Sequence, residues 1–161
     1  MEKVKEIVKK YGNYIALGAF GLAFIASFLP FIRASASGFS ISASLFDDGA
    51  WGWIVMLLAL VGAAIFAIET FKKDLFDKVK NNIVELLINW LPLGLACFIF
   101  IVALVEGIQA KSSYTHWSIA FYFLILASLA AGAVVVFKRI IMKDMFKFDN
   151  KPKAEKTENK E

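Results

Sequence analysis

The stretch WGWIVMLLALVGAAIFAIETF, residues 51–71, carries one ionisable side chain, that of Glu69. At roughly 1.5 Å of rise per residue, a helix over this stretch is long enough to cross a hydrocarbon core of about 30 Å. A bilayer offers no water to backbone N–H and C=O groups, so a crossing segment must satisfy them internally as a helix. The stretch therefore predicts a transmembrane helix.

Three further stretches of the same kind surround it, and together they define the class of protein. The whole chain is 59% apolar with a mean hydropathy of +0.65, above the roughly 45–50% apolar content of soluble domains. The sequence predicts an all-α polytopic membrane protein with one domain over residues 1–148. Its four transmembrane helices are predicted at about residues 14–32, 51–71, 86–105 and 117–137. Residues 149–161 are polar and charged, which predicts a disordered tail.

The basic residues predict the orientation of these helices. Of the 18 Lys and Arg residues, all but Arg33 and Lys111 precede the first span, follow the fourth, or lie between the second and third. Positively charged connections stay in the cytoplasm. The sequence thus predicts a multi-pass plasma-membrane protein with both termini cytoplasmic and with residues 33–50 and 106–116 outside.

The first span has an alternative interpretation as a secretory signal. A basic start, an apolar run and the small triplet Ala34-Ser35-Ala36 are typical of a cleaved signal peptide. The apolar run from Tyr14 to Ile32 is, however, longer than the 7–15 residues of a signal core. A retained transmembrane helix is therefore the preferred interpretation.

The first external segment has the alternation of a β-strand. From Ser40 to Leu45, serines alternate with Ile41, Ala43 and Leu45, the period of two that is typical of a half-buried strand. The pattern predicts a short β-hairpin that turns near Gly38, and a flexible Ser/Gly loop is the alternative. We expect an external interaction surface in this segment, with the following candidate residues: Phe39, Ile41, Leu45, Asp47 and Asp48.

The third span carries the candidate intramembrane polar site. Glu85, Asn89 and Pro92 follow one another at intervals of four and three, which places them on one side of a helix. Proline also leaves a carbonyl of the preceding turn without its usual donor. Together these groups could line a wet cavity or bind a cation. Because Glu85 lies near the cytoplasmic end, the preferred interpretation is an interfacial carboxylate beside lysines.

Two basic segments next to the membrane predict contact with lipid. Residues 1–11 and 138–148 each place apolar side chains on one helical face among lysines. Such segments can lie on the anionic lipids of the inner leaflet. Small residues at intervals of four, such as Ala19, Ala23 and Ser27, predict close helix packing or a self-association face.

The sequence indicates no catalytic centre. It has no GxSxG, no phosphate-binding glycine loop and no recognised metal-ligand spacing, so we expect no enzyme activity, no cofactor and no metal. The pI of about 9.1 follows from cytoplasmic lysines beside the membrane, so nucleic acid is not an expected partner.

The order Phe28-Leu29-Pro30-Phe31, Gly38, Asp48-Gly49 and Trp53 resembles that of small four-helix membrane proteins of bacteria. The resemblance implies a bacterial plasma-membrane protein and brings no activity with it. The leading functional hypothesis is a non-enzymatic accessory or interaction protein, whose partner is another membrane protein or a second copy of itself. The alternative is a small oligomeric channel, a holin-like pore or a transporter.

Overall fold

The computed structural model describes residues 2–36, 39–47, 49–71, 82–111 and 115–143, and these form a helical bundle with a small sheet. In these ranges the helices are α1 (Glu2–Ala26), α2 (Trp51–Phe71), α3 (Asn82–Gln109) and α4 (Ile119–Val135), and a π-helical segment (Val136–Ile141) continues α4. The strands are β1 (Ile32–Ala36), β2 (Phe39–Ala43) and β3 (Thr115–Trp117).

Three of the described helices are long and apolar enough to cross a membrane. They cover Trp51–Phe71, Ile83–Gln109 and Ile119–Ile141. The first has the predicted bounds of the second span, and the other two overlap the predicted third and fourth spans. Their length and composition are those of a membrane protein.

The predicted first span, residues 14–32, is wrong as a single helix. Helix α1 ends at Ala26, and Ile32 already belongs to β1. Pro30 lacks an N–H and disfavours helical geometry in the residue before it. At its other end α1 starts at Glu2 and runs through Gly12 without a break, so the basic segment 1–11 is the first part of the same helix.

The predicted hairpin is confirmed, and it belongs to a larger sheet than the sequence indicates. β1 and β2 are antiparallel with Ala34 opposite Ile41. Strand β3 pairs antiparallel with the other side of β1. Its residues belong to the predicted fourth span and to the external segment before it. The strand order is β2-β1-β3. Residues 37 and 38, where the turn is predicted, and the predicted tail, 149–161, lie outside the described residues.

The helices pack along stripes of buried residues, many of them glycine or alanine, that recur at alternating intervals of three and four. On α2 the buried positions are Gly52, Val55, Ala59, Gly62, Phe66 and Glu69. On α1 the buried positions include Gly12, Ala16, Ala19, Ala23 and Ala26. This spacing makes one stripe along a helix and is typical of left-handed bundles. Ala19, Ala23 and Ser27 of the predicted self-association face are thus buried inside the bundle.

Two glycines set the closest approaches between helices. A Cβ at Gly62 of α2 would lie 2.5 Å from the ring of Phe20 on α1. A Cβ at Gly107 of α3 would overlap the ring of Phe121 on α4 in the same way. Because lipid is as apolar as leucine, such close packing is a main source of helix association in a membrane.

We expect Gly62→Ala and Gly107→Ala to lower the free energy of unfolding by about 1–3 kcal/mol, the usual cost of overpacking. The control is Gly18→Ala on α1, where no atom lies within 4 Å of an added Cβ and where alanine is neutral or stabilising by up to about 1 kcal/mol. SDS titration of the protein in mixed micelles, followed by circular dichroism, measures the difference. Equal stability of the three variants would contradict the packing.

Candidate functional site

The sheet joins the ends of two helices and so defines one end of the bundle. β1 follows α1, β3 follows α3, and the two strands are hydrogen-bonded to each other. The last turns of α1 and α3 and the first turns of α2 and α4 therefore lie at this end. We call it the sheet end, and the opposite end the ion-pair end.

The sheet has one polar and one apolar face. On the polar face Arg33 lies between Ser42 on β2 and His116 on β3, and all three side chains are exposed. On the apolar face Ala34 lies opposite Ile41, and Ile32 lies opposite Ala43. Polar and apolar side chains of β2 thus alternate between the two faces of the sheet, as the sequence predicts.

Strand β2 is an edge strand with large exposed apolar side chains. Among the described residues it has β1 on one side and no strand on the other. Phe39 is 80% exposed and Ile41 is 72% exposed, so the strand is not half-buried as its alternation predicts. On the apolar face, Phe39 and Ile41 are thus more exposed than Ile32 and Ala43, which lie nearer the helices.

A cavity of about 420 Å³ lies beneath the apolar face of the sheet. The sheet contributes Ile32, Ala34, Ile41, Ala43 and Thr115, and α3 with the residue after it contributes Glu106 and Ala110. Because Ile41 both lines this cavity and is exposed, the cavity opens beside the edge strand.

The segment after β2 folds back against the helices and closes one wall of the cavity. The Asp47 carboxylate accepts hydrogen bonds from the Ser44 backbone N–H at 2.6 Å and from the Ser44 hydroxyl at 3.0 Å. These two bonds, the backbone one first, lower the pKa of Asp47 below its ordinary value, so the group is charged at neutral pH.

Only part of the predicted interaction segment is therefore available as a surface. Phe39, Ile41 and Asp47 are exposed. Leu45 is not, because its side chain is 2% exposed and belongs to the core, which corrects its assignment to an interaction surface. Asp48 lies outside the described residues.

Aromatic stacking holds β3 in place. The ring of Trp117 stacks on Phe121 at 4.6 Å between centroids, and its indole N–H donates to the Gly107 carbonyl at 2.7 Å. Lys111 lies over the same indole, with Nζ at 4.7 Å from the ring centroid. These contacts connect β3 to both α3 and α4, so the sheet is fixed to the bundle on the side away from β2.

The ion-pair end contains a buried charged cluster formed by Asn13, Glu69, Lys138 and Arg139. Glu69 is 3% exposed, and its carboxylate accepts a hydrogen bond from Arg139, which is also 3% exposed. Lys138 Nζ lies 3.6 Å from the same carboxylate and donates to Asn13 Oδ1 at 2.6 Å. The cluster connects α1, α2 and the π-helical segment.

The π-helical geometry explains how two consecutive cations reach one carboxylate. In an α-helix consecutive side chains diverge by roughly 100°, whereas the wider π turn brings them closer to the same side. The Met142 N–H donates to the Phe137 carbonyl, five residues earlier, as this geometry requires. Lys138 and Arg139 belong to the segment 138–148 that is predicted to contact lipid, but both are buried.

The structure keeps Glu85, Asn89 and Pro92 on one helix but does not gather them into a charged site. Asn89 is 3% exposed, and its side-chain amide donates to the backbone carbonyl of Glu85 at 2.9 Å. Pro92 is fully buried, while the Glu85 side chain is only half-buried. The interfacial interpretation places Glu85 beside three lysines, Lys72, Lys73 and Lys80, and these three residues lie outside the described ones.

A second cavity, of about 470 Å³, is a groove between α3 and α4. Its walls are almost entirely apolar and include Leu93, Cys97, Phe100 and Leu129. The Ser128 hydroxyl is bonded within its own helix, to the Leu124 carbonyl. Such a groove suits the acyl chains of surrounding lipid. Within the described residues, no three His, Cys, Asp or Glu side chains lie close enough together to hold a metal ion.

Comparisons of this chain with family models, curated proteins and solved structures find no match. The site is therefore interpreted from its own geometry.

We expect Glu69→Gln to lower the free energy of unfolding by about 3–5 kcal/mol, because it removes the carboxylate from two buried cations. Glu85→Gln is the matched control, since a half-exposed carboxylate contributes about 0–1 kcal/mol. The same detergent titration measures both. Equal effects of the two substitutions would contradict the assignment of Glu69 as the buried anion of this end.

Proposed function

We propose that this protein is a four-span accessory protein of the bacterial plasma membrane, which binds an extended segment of another polypeptide through its external sheet. Both termini are cytoplasmic, and the sheet end faces outward. The observation that carries the proposal is the exposed edge strand β2, with its cavity beside it.

The contacts of α1 support a fourth span. Asn13 of α1 bonds to Lys138, at the end of α4. The carbonyl of Pro30, just after α1, accepts from the N–H of Ala120, at the start of α4. The chain from Asn13 to Pro30 therefore runs along the whole of α4, although roughly 20 Å of it is helix. The segment from Asn13 to Pro30 therefore covers the length of α4, which with its π-helical continuation is long enough to cross a membrane.

The basic residues support the orientation. Lys138 and Arg139 mark the ion-pair end, and the lysine-rich start of α1 lies beyond it. Arg33 and Lys111 belong to the sheet end. The positive-inside rule then places the ion-pair end in the cytoplasm. In this orientation the exposed Val4 and Ile7 of α1 lie beside the anionic inner leaflet.

We expect an impermeant thiol reagent to label cysteines at Ser42 and Ser113 in intact cells, but not cysteines at Asn81 or Thr157. Each is placed singly in a Cys97→Ala background, so that the added thiol is the one that reacts. Disrupted cells, in which all four sites become accessible, provide the control. Labelling of Asn81 or Thr157 in sealed cells would overturn the orientation.

The chemistry of the edge strand identifies the kind of partner. A free strand edge presents backbone N–H and C=O groups that pair with any extended peptide, and adjacent pockets select its alternate side chains. Here the pocket walls are mainly apolar, from Ile41, Ala34 and Leu45. We therefore expect the partner strand to place an apolar side chain at the cavity mouth.

The polar contacts inside the bundle favour this function over the channel alternative. The Glu69 carboxylate is neutralised by buried cations. The Asn89 amide is bonded to the backbone of its own helix, and so is the Ser27 hydroxyl, which donates to Ala23 at 3.0 Å. These groups are engaged in structure, whereas a conducting path needs polar groups that face water.

We expect a photoreactive amino acid at Phe39 or Ile41, in membranes, to form an adduct with one identified polypeptide segment. If that segment is an added strand, moving the probe from position 39 to 41 shifts the adduct by two residues along the partner. The shift is toward the partner's N-terminus for antiparallel pairing.

The matched control is a probe at Arg33, which is also exposed but is paired with β2 on one side and with β3 on the other. It should give no such adduct. Adducts of Phe39 and Ile41 with phospholipid alone would refute the docking function and assign these side chains to the headgroup zone.

A further inference from the structure

We infer that the segment bound by β2 is β2 of a second copy, in an antiparallel pair centred on Ile41. This inference rests on the proposed function, because it names the occupant of the same edge. The pair would convert two three-stranded sheets into one continuous six-stranded sheet.

The first observation is the lack of charge on β2. Its sequence is Phe-Ser-Ile-Ser-Ala, whereas β1 carries Arg33 and β3 carries His116. Monomeric proteins protect an edge strand with charges, proline or a bulge. Strand β2 has no charge or proline, and it is regularly paired with β1 over all five residues. This composition fits a strand that is covered in the assembled protein.

The second observation is that β2 is complementary to itself. Antiparallel pairing about Ile41 places Ile41 opposite its own copy and Phe39 opposite Ala43. A large ring then faces a small methyl group on the apolar face. Ser40 faces Ser42 on the polar face, where the hydroxyl groups can form hydrogen bonds. No like charges are brought together.

The membrane sets a condition on the symmetry of this pair. A continuous sheet built from two copies has its two-fold axis perpendicular to the sheet. Two copies in one membrane share the same orientation only if this axis runs along the membrane normal, so self-pairing requires the sheet of each copy to face the bilayer.

The test is disulfide formation in native membranes, in a Cys97→Ala background. Ile41→Cys should form a disulfide-linked dimer under mild oxidation, because directly opposite Cβ atoms lie about 4.5–5.5 Å apart. Ser40→Cys and Ser42→Cys should crosslink to each other when two differently tagged copies are co-expressed. Ser35→Cys, exposed on the central strand, is the control for random collision.

A charge exchange tests the contact without a disulfide. Ile41→Lys or Ile41→Glu alone places like charges opposite each other, and should reduce recovery of one tagged copy with the other about fivefold. Co-expression of the Lys copy with the Glu copy should restore it. Normal unfolding of each variant in detergent shows that the loss concerns the interface and not the fold.

The outcomes separate this inference from the proposed function. Absence of the Ile41→Cys dimer, with a photo-adduct from position 41 to a different polypeptide, refutes self-pairing and keeps the docking function. Absence of both refutes both. Equal crosslinking at Ser35 and Ile41 assigns the dimer to collision and also refutes self-pairing.

Discussion

The pairing of β1 with β3 is the constraint on which the rest of this structure depends. Because β1 follows α1 and β3 follows α3, this pairing places the last turns of α1 and α3 at the same end of the bundle. Helices α2 and α4 begin at that end. Because β1 is the central strand, its second side is available to β2. One strand therefore aligns the bundle and also presents the edge on which the proposed function rests. Cleavage of a signal peptide at Ala34-Ser35-Ala36 would cut this central strand.

The two ends of the bundle are stabilised in different ways, and this difference accounts for what each end can do. The ion-pair end is connected by a buried carboxylate from α2, two cations from the π-helical segment and the Asn13 side chain from α1, and breaking such a group is costly. The sheet end is fixed by aromatic stacking around Trp117 on the β3 side. The β2 side extends beyond this support with exposed apolar side chains. Rigid helices thus carry an edge that is open to a partner.

The parts of the fold that depend on local composition could be predicted from the sequence, and those that depend on distant contacts could not. The bounds of α2 follow from an uninterrupted apolar run, and the β1–β2 hairpin follows from the alternation of serine with apolar residues. β3 has only three residues and gains its stability from β1, so no local pattern indicates it. The first span was predicted too long because hydropathy does not register the turn before Pro30.

The same limit applies to the candidate sites. Glu69 and Arg139 are 70 residues apart in the sequence, and nothing near either residue identifies the other as its partner. The π-helical turn that brings Lys138 to the same carboxylate has no sequence signature of its own. At the sheet end, alternation predicted which side chains share a face, but it also predicted that β2 is half-buried. The exposure of Phe39 and Ile41 depends on how far the helix ends extend beneath the hairpin.

The central claim is that the β2 edge is covered in the membrane, and backbone amide hydrogen exchange tests it most directly. Exchange is compared by mass spectrometry between native membranes and monomeric protein at high dilution in detergent. The account predicts that the β2 amides that point away from β1 are protected in membranes and exchange rapidly in the monomer, while the amides of β1 that bond to a neighbouring strand are protected in both. Equally rapid exchange of β2 in membranes and in detergent, with β1 protected throughout, would contradict it.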